Sequence, residues 1–177
     1  MSTEPRVAVI TVSDGCAAGT RQDVSGDVIA TRMPDLPAKV ISRAVVQDSV
    51  PDIRGALSTA LDDADCIILT GGTGLGPRDV TPQAVSPLLE YEIPGIVEAM
   101  RIEGMRHTPH AMLSRQVAGV ARGCLELALP GSAKAVAECL DAVWTALPHA
   151  LALLRGETAH RSSPGPHEGP GAHDAAG

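Results

Sequence analysis

Aromatic side chains are almost missing from the sequence: its 177 residues include no Phe, one Trp and one Tyr. Proteins that bind single-stranded nucleic acid by stacking bases need several aromatic faces, so that class is excluded. Positively charged residues are also few: 14 Lys and Arg are outnumbered by 21 Asp and Glu, which gives a formal net charge of −7. Because a general binder of nucleic acid or of an anionic membrane needs a basic face, we expect neither partner.

Two further absences concern cysteine pairs and apolar runs. The four cysteines show no C-x-x-C spacing: Cys16, Cys66, Cys124 and Cys139. We therefore expect small buried side chains rather than a zinc cluster or a disulfide scaffold. No apolar run approaches the roughly 18 residues that a membrane helix needs, and the first residues, MSTEPRVAVITVSDG, lack the basic start and cleavage site of a signal peptide. The sequence thus predicts a cytoplasmic protein with no membrane association.

The chain divides into a domain at residues 1–155 and a tail at residues 156–177. Apolar residues make up 44% of the chain, enough for a core of aliphatic and Ala side chains. The tail, GETAHRSSPGPHEGPGAHDAAG, is rich in Gly, Pro and polar residues without hydrophobic periodicity, so we predict that it is disordered. Three of the six His lie there, but their irregular spacing does not indicate metal capture. The function is therefore expected within residues 1–155.

Strand and helix patterns alternate along this domain. Val7–Thr11 and Cys66–Leu69 are short, continuous apolar runs, typical of strands buried on both faces. Helices are predicted at Ser25–Met33, which Pro34 ends, and from Thr81 to Leu89, with Thr81 as N-cap and Pro82 at the first helical position. Strands that alternate with helices imply parallel pairing through right-handed crossovers.

The predicted fold is a three-layer α/β sandwich with a mostly parallel sheet and helices on both faces. Two apolar segments near the end, Gly119–Ala121 and Leu125–Leu129, add a small β-hairpin or an edge strand.

A glycine-rich loop carries the densest signal for function. It reads TGGTGLGPRDVTP over Thr70–Pro82 and joins the end of a buried strand to the start of a helix. Glycines let backbone N–H groups approach an anion closely, and the positive end of the helix dipole adds to the attraction. A loop that only reverses the chain is the alternative. Arg78 and Asp79, a cation and a carboxylate at the end of the loop, favour a phosphate site.

Aspartates follow three of the predicted strands. Asp14 follows Val7–Thr11, Asp48 follows a loosely alternating strand predicted at Lys39–Val46, and Asp79 lies in the loop after Cys66–Leu69. Parallel strands end at one edge of a sheet, so these carboxylates are expected to converge there. An aspartate at a strand end is often a turn or cap former. Three of them beside a phosphate loop suit phosphoryl or nucleotidyl transfer assisted by a divalent metal, which we expect Asp48 and Asp79 to hold.

Two serines in later loops are weaker candidates. Ser114 is followed by a cation, Arg115, and Ser132 stands where the last long helix begins. Each serine fits a helix cap as well as a ligand contact, and the spacing does not decide between them.

These motifs, in this order, resemble the molybdopterin adenylyltransferase family of molybdenum-cofactor biosynthesis, which includes the G domain of gephyrin. The resemblance extends from about Arg6 to Arg155. It rests on VITVSD (Val9–Asp14), DVSG (Asp23–Gly26), QD (Gln47–Asp48), TGGTGLGPRDVTP (Thr70–Pro82), IPGIVEAMR (Ile93–Arg101), LSRQVAG (Leu113–Gly119) and LPGSAKA (Leu129–Ala135).

The resemblance implies an α/β sandwich that assembles as a homotrimer, or in some members a hexamer, with a molybdopterin site at the sheet edge. It also implies an enzyme that joins AMP from Mg²⁺-ATP to the terminal phosphate of molybdopterin and releases pyrophosphate. Other molybdenum-cofactor enzymes become possible partners. Asp48 and Asp79 match the family's two key aspartates, and Ser114 matches the serine that contacts pterin and phosphate. The predicted substrate- and nucleotide-binding residues are Ser13, Asp14, Thr70, Gly71, Gly72, Thr73, Gly74, Arg78, Ser114, Gly131 and Ser132.

One departure from the family pattern bears on the activity. Gly15 stands where many members carry Arg after Ser-Asp, and the loss of that cation is expected to weaken anion binding. A non-catalytic paralogue that binds or carries molybdopterin is therefore the alternative to the enzyme. Retention of both Asp48 and Asp79 favours the enzyme.

Overall fold

The computed structural model describes residues 4–157 and builds them around one six-stranded sheet. The strands are β1 (Arg6–Val12), β2 (Lys39–Val46), β3 (Cys66–Thr70), β4 (Tyr91–Glu92), β5 (Val117–Ala121) and β6 (Cys124–Leu129). Their order across the sheet is β2-β1-β3-β6-β5-β4. Strands β2, β1, β3 and β6 are parallel to one another, whereas β5 runs antiparallel to β6 and to the two-residue edge strand β4. The predicted mostly parallel sheet with a hairpin and an edge strand is confirmed.

Helices cover both faces of the sheet. They are α1 (Asp14–Ala17), α2 (Val24–Arg32), α3 (Val50–Leu61), α4 (Thr81–Val85), α5 (Pro94–His107), α6 (Ala133–Val143) and α7 (Leu147–Leu154), with 3₁₀ turns at Met33–Asp35, Ser86–Leu88 and Pro109–Leu113. Helices α2, α5, α6 and α7 supply buried side chains to one face, and α3 and α4 supply them to the other. The predicted three-layer sandwich is therefore confirmed.

Aliphatic side chains fill the core in the absence of aromatic ones. Strand β3 is buried along its whole length: Ile68 faces the layer of α2 and α6, while Ile67 and Leu69 face the layer of α3 and α4. The single tryptophan, Trp144, lies at the margin of the core, where the Arg32 guanidinium stacks 4.4 Å from its ring centroid. Cys66, Cys124 and Cys139 are free and buried, as predicted, whereas Cys16 is free but only partly buried because it lies at the surface cleft after β1.

Helix boundaries differ from prediction where prolines and side-chain hydrogen bonds decide them. Helix α2 begins one residue early because the Asp23 carboxylate accepts the Gly26 N–H at 2.9 Å and caps it. The predicted helix from Thr81 to Leu89 ends at Val85 and continues as a 3₁₀ turn, since Pro87 has no N–H to donate. Thr81 is not its N-cap: the N-cap residue is Val80, and the Thr81 hydroxyl bonds elsewhere.

Within residues 4–157, no single helix is long and apolar enough to cross a membrane. Only α6 and α7 taken together reach that length and composition, and they meet at a bend of 68°. The predicted disorder and histidines of the tail lie almost wholly outside the described residues.

Candidate functional site

The carboxyl ends of the parallel strands open on a cleft of about 500 Å³. The loops after β1, β2, β3 and β6 all reach this edge, where ligands of open α/β sheets bind. Seven of the predicted residues line it: Ser13, Asp48, Thr70, Gly71, Gly72, Gly131 and Ser132. The structure therefore brings these predicted residues together at one edge of the sheet, beside the polar side chains of Thr11, Arg21, Gln22 and Ser25, which the sequence analysis did not select.

A second compartment of about 340 Å³ adjoins the first. Both are lined by Gly72, Gly131 and Ser132, so they meet at the glycine loop. The second compartment is lined by three more predicted residues of the loop, Thr73, Gly74 and Asp79, and by the predicted serine, Ser114. Asp48 and Asp79 thus lie on opposite sides of the junction.

Asp14 and Asp48 hold each other through their backbones. The Asp14 N–H donates to Asp48 Oδ2 at 2.8 Å, and the Asp48 N–H donates to Asp14 Oδ1 at 3.0 Å. This reciprocal pair joins the ends of β1 and β2 and confirms that these two aspartates converge. The other oxygen of Asp48, Oδ1, faces the glycine loop: it lies 3.3 Å from the position that a Cβ on Gly72 would take.

Arg78 is engaged by Asp14 instead of lining either compartment. Its Nη2 and Nε donate to the two oxygens of the Asp14 carboxylate at 2.8 and 3.0 Å. This guanidinium holds the pKa of Asp14 below its usual range, and the Asp48 N–H adds to the effect. Sequence reasoning placed Arg78 on a phosphate, whereas the structure gives it a fork onto a carboxylate. Arg78 thus holds the Asp14 carboxylate, and this carboxylate accepts the N–H of Asp48, so both residues help to fix Asp48 in place.

The glycine loop needs its first two glycines for steric reasons. Gly71 and Gly72 have φ of +99° and +65°, a region that side chains disfavour. A Cβ on Gly71 would also clash with the carbonyl oxygen of Val12. Thr81 fixes the loop at the same place: its hydroxyl donates to the Gly71 carbonyl at 2.8 Å, and its N–H donates to the Gly72 carbonyl at 3.0 Å.

Arg115 anchors the far half of the loop, a role that the sequence did not reveal. Its Nε donates to the Gly74 carbonyl at 2.8 Å and its Nη2 to the Asp79 carbonyl at 2.5 Å. Its own N–H donates to the Thr73 carbonyl at 2.7 Å. The Asp79 carboxylate in turn accepts the Gly76 N–H at 2.8 Å. Spacing along the chain identifies Arg115 only as a cation in a loop, because its acceptors are backbone carbonyls brought close by folding.

The two serines take different positions. Ser132 caps α6, since its hydroxyl accepts the Ala135 N–H at 3.2 Å, and it also lines both compartments. Ser114 is not a helix N-cap: its hydroxyl lies 3.2 Å from that of Thr73. Ser132 is thus a helix cap that also borders both compartments, and the Ser114 hydroxyl lies beside the second compartment.

No three His, Cys, Asp or Glu side chains within residues 4–157 gather in a way that could hold a metal ion. Mg²⁺ does not require such a cage, because it is usually bound by one or two carboxylates together with waters and the phosphates of a substrate. Asp48 Oδ1, turned toward the loop and away from its bond to Asp14, is a suitable donor. The residues fit a Mg²⁺ ion that shares its ligands between a carboxylate and a phosphorylated molecule.

Fold and site together define an α/β domain that receives its ligands at the carboxyl edge of a parallel sheet. Residues 8–149 match the family described as "Probable molybdopterin binding domain". The chain belongs to this family, whose domains serve molybdenum cofactor biosynthesis.

Individual relatives agree with this assignment. A Thermus thermophilus structure titled as the molybdopterin biosynthesis enzyme MoaB is 45% identical, with a TM-score of 0.81 over 86% of this chain and 97% of its own. A Helicobacter pylori protein named molybdopterin adenylyltransferase is 34% identical over 85% of this chain and 88% of its own length. A molybdenum cofactor biosynthesis bifunctional protein of Synechococcus elongatus is 42% identical over 84% of this chain. The chain spans about half of that protein's length, 47%.

Proposed function

We propose that the domain is a Mg²⁺-ATP-dependent molybdopterin adenylyltransferase. The observation that carries the proposal is the pair of compartments that meet at Gly72, one with Asp48 and the other with Asp79 and Ser114. A transfer between two phosphorylated molecules needs such a junction, where their phosphates come together. The name of the Helicobacter pylori relative supports this reaction over others.

The reaction forms one phosphoanhydride bond and breaks another. An oxygen of the molybdopterin phosphate attaches to the α-phosphorus of ATP, while the bond from that phosphorus to the bridging oxygen of pyrophosphate breaks. The attacking oxygen is anionic, so no general base is needed. Bound Mg²⁺ would neutralise charge on the nucleotide phosphates.

The chain's own residues mainly bind and orient. We assign the nucleotide to the larger compartment and the pterin to the smaller one, where Ser114 presents its hydroxyl. The backbone of Gly71–Gly74 lies along the junction and is fixed by Thr81 and Arg115. Asp48 is held in place by Asp14, and so is available to orient the metal with its phosphates. Positioning and electrostatics supply most of the catalysis in reactions of this type.

Acceptor-dependent pyrophosphate release tests the proposal. The purified protein, supplied with Mg²⁺-ATP, is expected to release pyrophosphate only when molybdopterin is added. Asp48→Asn and Asp79→Asn should each lower turnover about 10²–10³-fold, as with other preorganised charged groups. Asp35→Asn is the matched control, because Asp35 is exposed and precedes β2 at the opposite edge of the sheet. Normal turnover in folded Asp79→Asn would remove Asp79 from the mechanism.

The carrier alternative predicts a different result in the same assay. A protein that only binds molybdopterin would take up the pterin in a titration and release no pyrophosphate. The engagement of Arg78 by Asp14 favours this alternative, because it leaves the loop's own arginine occupied. Pterin binding without release would therefore establish the carrier and exclude the enzyme.

We also propose assembly as a homotrimer, or as a hexamer built from trimers. Exposed apolar side chains on and after α5 are available for such contacts: Ile102, Met105 and Met112 are 54%, 41% and 57% exposed. Light scattering on the purified protein measures the mass directly. Contacts with other molybdenum-cofactor enzymes and a cytoplasmic location stay predictions of the sequence.

A further inference from the structure

Arg21 lies against Gly15 and reaches the cleft at the carboxyl ends of the strands, which we call the main cleft. Its side chain lines the cleft of about 500 Å³, where it is the only cation among the lining residues and Asp48 is the only acid. The segment after α1 folds back so that the N–H groups of Thr20 and Arg21 both donate to the Gly15 carbonyl, at 2.9 and 3.1 Å. A Cβ on Gly15 would lie 2.9 Å from Arg21 Cδ and 3.2 Å from Cγ. The bare α-carbon of Gly15 thus makes space for the arginine.

The guanidinium of Arg21 has no partner among the described residues. Each of the other arginines within residues 4–157 makes an ion pair or donates a side-chain hydrogen bond to a carbonyl. Arg21 does neither, although it carries five N–H donors in a fork that matches phosphate and carboxylate oxygens. An arginine that remains unpaired in a protein of net charge −7, at the mouth of a cleft, is available for an anionic ligand.

The same cleft offers a second group that favours an anion. Gly131, Ser132 and Ala133 line it, and they form the N-terminal end of α6, an eleven-residue helix. The Ser132 side chain accepts one N–H of the first turn, that of Ala135, while other N–H groups of that turn have no helical partner. Helix N-termini attract phosphate through such N–H groups and the helix dipole.

We propose that Arg21 is a phosphate-binding residue of the main cleft and that Gly15 is the position that admits it. The inference rests on the proposed function only in taking the ligand to be phosphorylated. A guanidinium binds a phosphate by charge-assisted hydrogen bonds, whether the phosphate belongs to a nucleotide or to molybdopterin. Arg21 is a ligand-binding residue in this account, and takes no part in the bond changes.

Three variants separate the charge of Arg21 from its placement. Arg21→Gln removes the charge, Arg21→Lys keeps the charge without the fork, and Gly15→Ala keeps the arginine but places a methyl group against its Cδ. Lys39→Gln removes one exposed positive charge at the opposite edge of the sheet and serves as the matched control. Urea unfolding of each variant verifies that it is folded, which is expected because Arg21 is exposed.

Binding of Mg²⁺-ATP and of molybdopterin is then measured separately by calorimetry at two salt concentrations. Arg21→Gln should lower the affinity for the ligand whose phosphate Arg21 contacts. The expected loss is about 10- to 100-fold, the range for a hydrogen bond to a charged group. The affinities of Arg21→Lys and Gly15→Ala should lie between those of Arg21→Gln and the wild type. The affinity of Arg21→Gln should also depend less on the salt concentration than that of the wild type. KM should rise with kcat unchanged where turnover occurs.

The outcomes keep this inference distinct from the proposed function. Unchanged binding of both ligands in Arg21→Gln, or an equal loss in Lys39→Gln, overturns the role of Arg21 even if the wild type is an active adenylyltransferase. Weakened binding in Arg21→Gln and Gly15→Ala, with no pyrophosphate release by the wild type, establishes Arg21 while the proposed reaction fails. The ligand that loses affinity identifies the source of the phosphate.

Discussion

Glu126 is expected to lower the stability of the domain as the pH rises. The side chain lies on β6 within the aliphatic core, between Ile67 of β3 and Gly119 of β5, and is 0% exposed. Neither carboxylate oxygen has a hydrogen-bond partner within the described residues. Because burial penalises the charged form, it raises the pKa of Glu126 from 4.5 to about 7.

The direction and size of the effect follow from this pKa. Below pH 4.5 the folded and unfolded chains both carry the proton, so the free energy of unfolding is highest there with respect to this group. Between pH 4.5 and 7 the unfolded chain releases the proton while the folded chain keeps it, and the free energy of unfolding falls. A difference of about 2.5 pH units corresponds to about 3 kcal/mol. Above pH 7 both forms are ionised and the loss is complete.

Urea unfolding of Glu126→Gln, at fixed protomer concentration from pH 5 to pH 8, tests this reasoning. The variant should be more stable than the wild type by about 3 kcal/mol at pH 8, with the difference shrinking toward pH 5. Glu98→Gln, at an exposed position on α5, should run parallel to the wild type. If Glu126→Gln also runs parallel to the wild type, the carboxylate is solvated or paired in solution and the argument from burial is refuted.

Three further changes test the loop and its surroundings by the same unfolding assay. Thr81→Val replaces the buried hydroxyl that donates to the Gly71 carbonyl with a methyl group and should cost about 1–3 kcal/mol, whereas Thr81→Ser keeps the hydroxyl and should lose less; a loss in Thr81→Ser as large as in Thr81→Val would contradict the assignment of the effect to the hydrogen bond. Gly71→Ala should cost more than about 2 kcal/mol, because of its φ of +99° and the clash with the Val12 carbonyl. Gly55→Ala, where a Cβ within α3 meets nothing, should instead add about 0.5–1 kcal/mol, and a loss there would contradict the assigned helix geometry.

Periodicity and turn residues were sufficient to predict the sheet and the edge that carries the site. Strand β1 contains the predicted run Val7–Thr11, and β3 extends the run at Cys66–Leu69 by only one residue. Strands buried on both faces of a sheet can be recognised in the sequence because successive residues, which point to opposite faces, must all be apolar. Since the parallel strands share one direction, the convergence of Asp14 and Asp48 followed from the topology alone.

The choice of partner by each polar side chain could not be predicted in this way. Thr81 precedes a proline and has the sequence of an N-cap, yet its hydroxyl bonds the Gly71 carbonyl, which folding places beside it. Arg78 adjoins the phosphate loop in sequence, but its fork closes on Asp14, 64 residues away. In both cases a partner that is near in the sequence is passed over for one that folding brings close, so the tertiary structure decides which hydrogen bond forms.

The cation of the cleft shows how this limit affects functional inference. Considered position by position, the family resemblance predicted weaker anion binding at Gly15. In the folded chain, the aliphatic part of Arg21 lies over Gly15 and Arg21 lines the main cleft, so a side chain at position 15 would take space that Arg21 occupies. A larger residue at position 15 would displace Arg21 Cδ. On the proposed role of Arg21, any side chain introduced at Gly15 should therefore weaken phosphate binding, even one that carries a positive charge itself.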